Sequence, residues 1–258
     1  MFLRRLLQPT DDWLDAPTPR RVAGVAAAAA AGLAFYGFTV GFWRDPLMGA
    51  YVAVKMPLLV ALTLACNGLL NGLLGILLGT GLGFRQSLLA LLTGFALAAL
   101  ILGALAPVTF FLAWNAPSPG EPGAAAAHAG YLVAHTVLIG IAGITANVHL
   151  HRLLTARTPN RSAATVTLLA WLAGNGFLGA QFSWILRPFF GTPTLAVQFL
   201  RDHPLEGNFY QAVWRSSHAI TGGNGLPLLL GILLVLAIPI ARALSNPIST
   251  TTPEPTKP

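Results

Sequence analysis

Long stretches of this chain carry no charge and turn apolar side chains to every side. Runs long enough to cross a bilayer, about 20 residues, recur at 22–43, 56–79, 87–113, 129–150, 163–186 and 225–244. They lack the two-residue alternation of a barrel strand, so all six read as helices. The expected fold class is all-α: a polytopic membrane helix bundle of about six transmembrane helices, with a long aromatic-rich loop between the fifth and sixth. The first run, VAGVAAAAAAGLAFYGFTVGFW, has the small residues of a signal peptide. Its apolar stretch outlasts a typical signal core, which favours an uncleaved first span.

The segments outside the runs differ in kind. Residues 1–21 mix Phe2, Leu3, Leu6, Leu7, Trp13 and Leu14 with charges ahead of Pro17 and Pro19, the pattern of an N-terminal interfacial segment; a solvated tail is the equal alternative. NAPSPGEPGAAAAH, between the third and fourth runs, reads as a mobile outside connector, and residues 245–258 as a disordered tail. The transmembrane helical domain is thus 22–244, with an outer loop at 187–224. That loop carries Phe189, Phe190, Phe199, Phe209, Tyr210 and Trp214, more apolar surface than a water-filled linker needs. Within it LEGNFYQAVWRSSHAI has helical spacing and predicts a short interfacial helix at an aromatic belt.

Composition makes lipid the solvent. Hydrophobic residues are 55% and charged residues 9%, against roughly a quarter charged in soluble domains, and mean hydropathy is +0.67. The net charge of +7 follows the flanks. With a cytoplasmic N-terminus, ten of the 15 Lys and Arg fall inside and five (Arg44, Lys55, Arg187, Arg201, Arg215) outside, which places both termini in the cytoplasm. Arg152, Arg157 and Arg161 in one short loop weigh most. The expected localisation is a bacterial cytoplasmic (inner) membrane, and the expected partners are membrane lipid and other membrane-protein subunits. No basic stripe with interleaved aromatics is present, so nucleic acid is not expected. The single cysteine, Cys66, excludes a CxxC motif or an intrachain disulfide.

Polar residues inside the spans are the candidates for function, because each costs free energy unless it faces protein or water. Thr63, Asn67 and Asn71 share one face of the second span, beside Gly68, Gly72, Gly75 and Gly79. The favoured account is a central helix whose amides bond across a close contact; a polar pathway lined by Asn67 and Asn71 is the sharper one. His135 lies two turns inside the fourth span, roughly 9 Å by helix rise. No carboxylate occupies the interior of a span, so His135 reads as a neutral, hydrogen-bonded core residue. His149 and His151 face different directions, and His203, Glu206 and His218 have no recognised ligand spacing, so neither a metal nor a cofactor is expected. Nucleophile-elbow, zinc-peptidase and phosphate-loop patterns are missing, which leaves enzymatic activity without an indication.

QFSWILRPFFGTP followed by EGNFYQAVW resembles a pattern in a family of uncharacterised bacterial multi-pass membrane proteins. Arg187, Pro188, Phe189, Gly191, Glu206, Gly207, Asn208, Phe209 and Tyr210 carry the resemblance, which implies a polytopic helical membrane protein and no particular activity. Asn67, Asn71, His135, Arg187, Glu206, Asn208 and Tyr210 are accordingly the structural or binding candidates. Arg187 is expected to clamp the start of the loop through Glu206 and the carbonyls ending the fifth span. Three functions follow in order: a structural or scaffolding subunit of a membrane assembly, a transporter or channel for a small or lipid-like solute, and an intramembrane lipid-modifying enzyme.

Overall fold

The computed structural model describes Leu6–Leu7, 11–15, 17–158, 160–192, 194–221 and Leu226. The chain divides into two compact units, 1–215 and 216–258. The sixth expected span, 225–244, and the tail after it lie outside the described residues apart from Leu226.

Five described helices are long and apolar enough to cross a membrane: α1 (Pro19–Phe42), α2 (Pro46–Leu77), α3 (Phe84–Asn115), α4 (Ala124–Arg157) and α5 (Arg161–Ile185). A shorter α6 (Phe209–Thr221) lies within the long loop after α5, where the sequence predicts a short helix. Among the described residues all regular structure is helical.

Local chemistry sets the helix starts. Thr18 caps α1 by accepting from Arg21 N at 3.3 Å, Asp45 caps α2 through Leu47 N at 2.7 Å, and Asn160 caps α5 through Ser162 N at 2.9 Å. Pro19 and Pro46 each fall at the first turn, where the missing N–H is not needed. Two expectations change here. The second helix starts at Pro46 rather than near 56, because Asp45 and Pro46 form a complete start signal and Lys55 is buried within the helix instead of ending it. The Pro- and Gly-rich connector shrinks to a turn, since the alanines of 124–127 belong to α4. That turn is held by Trp43 Nε1 donating to Pro117 O at 3.0 Å and by Ser118 N donating to Glu121 at 2.8 Å.

The centre of the bundle is also not where glycine spacing placed it. Half of the most apolar window of α3 is buried and 44% of that of α1, against 33% for α2. Backbone approach explains the difference. A Cβ on Gly32 of α1 would collide with the Ala99 carbonyl of α3, and one on Gly103 would lie 3.2 Å from Gly32 Cα. On the other side of α1, Cβ atoms on Gly37 and Gly49 would come 2.7 Å from Val52 O and 2.8 Å from Phe38 O. Helix α1 is therefore gripped by α2 and α3 through its small residues. The glycines of α2 are less uniform: Gly72 faces the Phe84 ring, Gly75 faces Ser87 Oγ, Gly68 faces open space, and Gly79 has φ +78° in the following turn.

The two ends of the five-helix unit are marked by their contacts. At one end a 3-10 turn, Asp11–Leu14, inserts Trp13, whose Nε1 donates to Thr93 Oγ1 at 3.0 Å, while Asp15 pairs with Arg157 at the end of α4. The N-terminal segment is thus partly buried in the bundle. The outer loop caps the other end.

Candidate functional site

The described residues of the first unit form three polar clusters and, among its pockets, an apolar cavity where three helices meet. The first site joins α2 to α5. Asn67 and Asn71, one turn apart and buried, both donate from Nδ2 to Oδ1 of Asn175, at 3.2 and 3.1 Å, and Asn67 also donates to Asn71 Oδ1 at 3.3 Å. Asn175 Nδ2 donates to Trp171 O at 2.8 Å, and Trp171 Nε1 returns a bond to Asn71 O at 2.8 Å. Gly174 makes the approach feasible, since a Cβ there would lie 2.7 Å from Asn67 Nδ2. Asn175 was not singled out from sequence. Its signal is an amide between two glycines, in a span whose partner residues are distant in the chain.

This arrangement supports a definite expectation. Asn175→Leu leaves the buried Asn71 amide without its acceptor and Asn67 with one of its two bonds, whereas the triple replacement Asn67→Leu, Asn71→Leu, Asn175→Leu removes donors and acceptor together. An unmade buried bond costs more than a bond that neither partner needs, so the single variant should unfold at a lower temperature in detergent than the triple one. The scale is about 0.6 kcal/mol per lost interhelical bond by membrane precedent. A triple variant less stable than the single would mean that the amides serve a polar route instead.

The second site surrounds His135, which is completely buried on α4. Its Nδ1 lies 2.6 Å from Tyr36 OH on α1, and the rings of Tyr131 and Phe190 stand 4.2 and 5.7 Å away at steep angles. With Tyr36 donating to Nδ1, a single atom, Nε2, is left without a partner among the described residues. The reverse tautomer would leave two. Tyr131 OH donates to Thr39 O, and Thr39 Oγ1 pairs with Thr109 Oγ1 at 2.8 Å, which ties α1, α3 and α4 together beside the histidine.

The third site is the loop itself, and cationic or ring N–H groups from α2, α4 and the α1–α2 turn hold its first part, 188–195, at three backbone carbonyls. Lys55, fully buried on α2, donates from Nζ to Pro188 O at 2.7 Å, with the Phe199 and Phe189 rings 5.0 and 5.8 Å away. His128 Nε2 donates to Gly191 O at 2.7 Å, and Arg44 donates to Leu195 O at 2.8 Å. Gly191 is required twice: its φ is +66°, and a Cβ would lie 2.9 Å from Arg44 Cγ.

Arg187 stacks on Trp184, guanidinium carbon 3.7 Å from the ring centroid, and donates to Trp184 O at 2.6 Å and Pro204 O at 3.5 Å. The expected partnership with the carbonyl ending the fifth span is present. The expected pairing with the Glu206 carboxylate is not: Glu206 instead offers its main-chain oxygen to Trp184 Nε1 at 3.0 Å. Burial and Arg201 both lower the Arg187 pKa, and Glu206 opposes them from a distance without a hydrogen bond.

The rest of EGNFY completes a docking motif. Gly207 has φ +71° beneath the Trp184 ring, and Asn208 caps α6 by accepting from Gln211 N at 2.9 Å. Phe209 N donates to Gln181 Oε1 at 3.3 Å, while Tyr210 donates to Phe177 O at 2.7 Å and stacks on that ring at 5.1 Å. The sequence candidates therefore fall into separate places: Asn67 and Asn71 with Asn175, His135 with Tyr36, and Arg187, Glu206, Asn208 and Tyr210 on the outer loop.

The cavity lies where α3, α4 and α5 meet and measures 230 Å³. Gly94 and Ala98 on α3, Gly143 and Asn147 on α4, and Trp171 and Gly176 on α5 are among its lining residues. Among the described residues, no group of three or more His, Cys, Asp and Glu is placed to hold a metal ion. No family model, curated protein or solved structure matches the chain.

Proposed function

We propose that the protein is a structural or scaffolding subunit of a membrane assembly, sited in a bacterial cytoplasmic membrane, whose outer loop and the start of α6 form the face offered to other subunits. The carrying observation is the combination of a loop pinned through its backbone and apolar side chains left outside. Leu205 is 76% exposed, Trp214 46% and Tyr210 40%. A surface already ordered loses little conformational freedom on binding, and exposed aromatics are common anchors of interfaces. The interior supports the same reading. Its described polar groups are grouped in separate clusters, whereas a conduit needs them along one route.

In native membranes the protein should run on a native gel as a complex larger than itself. Leu205→Arg should release it as a free chain with an unchanged thermal midpoint. A wild-type chain that runs alone, and that carries solute across vesicles when reconstituted by itself, would replace this reading with the transporter.

The orientation rests on the ten-to-five distribution of basic residues and on the meeting of Asp15 with Arg157 at one end. Reporters fused at the C-terminus and inserted beside Glu121 should report opposite sides of the membrane. Agreement between them would overturn the cytoplasmic placement of both termini.

A further inference from the structure

We infer that the cavity between α3, α4 and α5 is a binding site for one acyl chain of an anionic phospholipid from the leaflet on the N-terminal side. The cavity is assembled from helical stripes, Leu91, Gly94 and Ala98 on α3 against Gly143, Asn147 and Leu150 on α4, with Trp171 closing the back. Its glycines are not all spent on packing. A Cβ on Gly143 or Gly176 would meet nothing within 4 Å, so these residues border open space rather than a neighbouring helix. At 230 Å³ the cavity is larger than the roughly 150 Å³ that holds a benzene ring. It is smaller than the roughly 300 Å³ at which ordinary ligand pockets begin. That size suits a length of hydrocarbon and not a whole solute.

Depth and charge identify the rest of the molecule. Leu91 lies about two turns, roughly 10 Å, beyond Phe84 at the start of α3, which is acyl depth for a head group held at the helix ends. At that same end α3, α4 and α5 carry the exposed arginines Arg85, Arg152 and Arg161. Arginines where adjacent helices reach the cytoplasmic interface suit a phosphate head group. Asn147, half-buried at the wall, donates to Gly143 O at 2.8 Å and keeps its Oδ1 without a partner among the described residues. By helix rise that oxygen lies about 15 Å from the Arg157 end of α4, deeper than Leu91, so it faces the tail and not the head group.

The test uses the purified full chain and two phospholipids with a photoreactive group in one tail, phosphatidylglycerol and phosphatidylethanolamine. Phosphatidylglycerol should label Leu172, Phe95 or their neighbours in preference to the outward residues Leu69 and Phe111. Gly143→Leu with Gly176→Leu should cut that labelling at least about tenfold, the loss expected when about two methylenes can no longer be buried. Gly140→Leu, a control at a position that also faces open space but outside the cavity lining, should leave it unchanged. Should the double variant fail to fold, dilution of the label by unlabelled phosphatidylglycerol serves instead: saturable cavity labelling supports the site, and labelling in proportion to bulk lipid overturns it. Labelling spread evenly over the lipid-facing surface, or unaffected by filling, overturns the proposal, as does a cavity closed by residues 225–244 and revealed by a Gly143→Cys crosslink to that segment. Equal labelling by both lipids overturns the anionic head group.

Discussion

Gly32→Leu should be the most damaging single substitution in the bundle, abolishing most of the folded, monodisperse protein recovered in mild detergent. A side chain at Gly32 meets the carbonyl of Ala99, and a carbonyl inside a helix cannot turn aside without breaking its own hydrogen bond. The helices must separate, and Gly103 opposite shows how little room there is, its own Cβ falling 3.2 Å from Gly32 Cα. Overpacking of this kind costs about 3 kcal/mol or more when backbone has to move. Gly72→Leu should be milder, because it meets the ring of Phe84, which is exposed and can rotate outward. Gly140→Leu should be silent, since nothing lies within 4 Å. Thermal midpoints and gel-filtration profiles of the three variants give the order directly. Equal loss for Gly32→Leu and Gly140→Leu would show that α1 and α3 are not in backbone contact.

These three glycines also indicate what a sequence can and cannot disclose in a membrane protein. Spans are legible because lipid demands uninterrupted apolar runs, and the expected third and fourth spans fall within one helix each while the first and fifth overrun theirs by a single capping residue, Trp43 and Leu186. The centre of the bundle is less legible. Glycine spacing looks the same whether the groove meets a backbone, as at Gly32, a movable ring, as at Gly72, or open space, as at Gly68. Asn67 and Asn71 were visible because they repeat within one helix, whereas Asn175 belongs to the same cluster only through folding.

The start of α2 was hidden for a related reason. A hydropathy reading treats Arg44, Asp45 and Lys55 as the edge of the lipid. In the structure Asp45 caps the helix, Lys55 is buried against Pro188 O, and Arg44 reaches Leu195 O. The acceptors in the last two contacts are main-chain carbonyls, which every residue possesses, so no residue type in the loop announces them. The aromatic content of the loop left packing on the scaffold and an aromatic belt both open, and where the EGNFY stretch docks is seen only in its contacts with Phe177, Gln181 and Trp184. The carbonyl pairings that hold it came only with the fold.

Arg187 draws these points together, and its test separates a carboxylate partner from a carbonyl one. Its guanidinium carbon lies over the Trp184 ring, and its donors go to the carbonyls of Trp184 and Pro204. A lysine keeps the charge but loses the planar face and the fork. Stacking of this kind contributes about 0.5–1 kcal/mol at an exposed site, and about 1 kcal/mol changes a local opening equilibrium by roughly fivefold. Arg187→Lys should therefore speed cleavage of the loop by an added protease severalfold in reconstituted vesicles oriented with the loop outward. Trp184→Phe should act in the same direction, because it retains a ring under the guanidinium but removes the N–H that binds Glu206 O. Glu206→Gln should leave the cleavage rate close to wild type, since the main-chain oxygen that Glu206 contributes survives the change. If Glu206→Gln instead matches Arg187→Lys, and the double variant is no worse than either, the two side chains form one unit and the carboxylate is the true partner. The stacked geometry predicts a different pattern: Arg187→Lys coupled to a variant that removes the ring, Trp184→Leu, and both independent of the charge at Glu206.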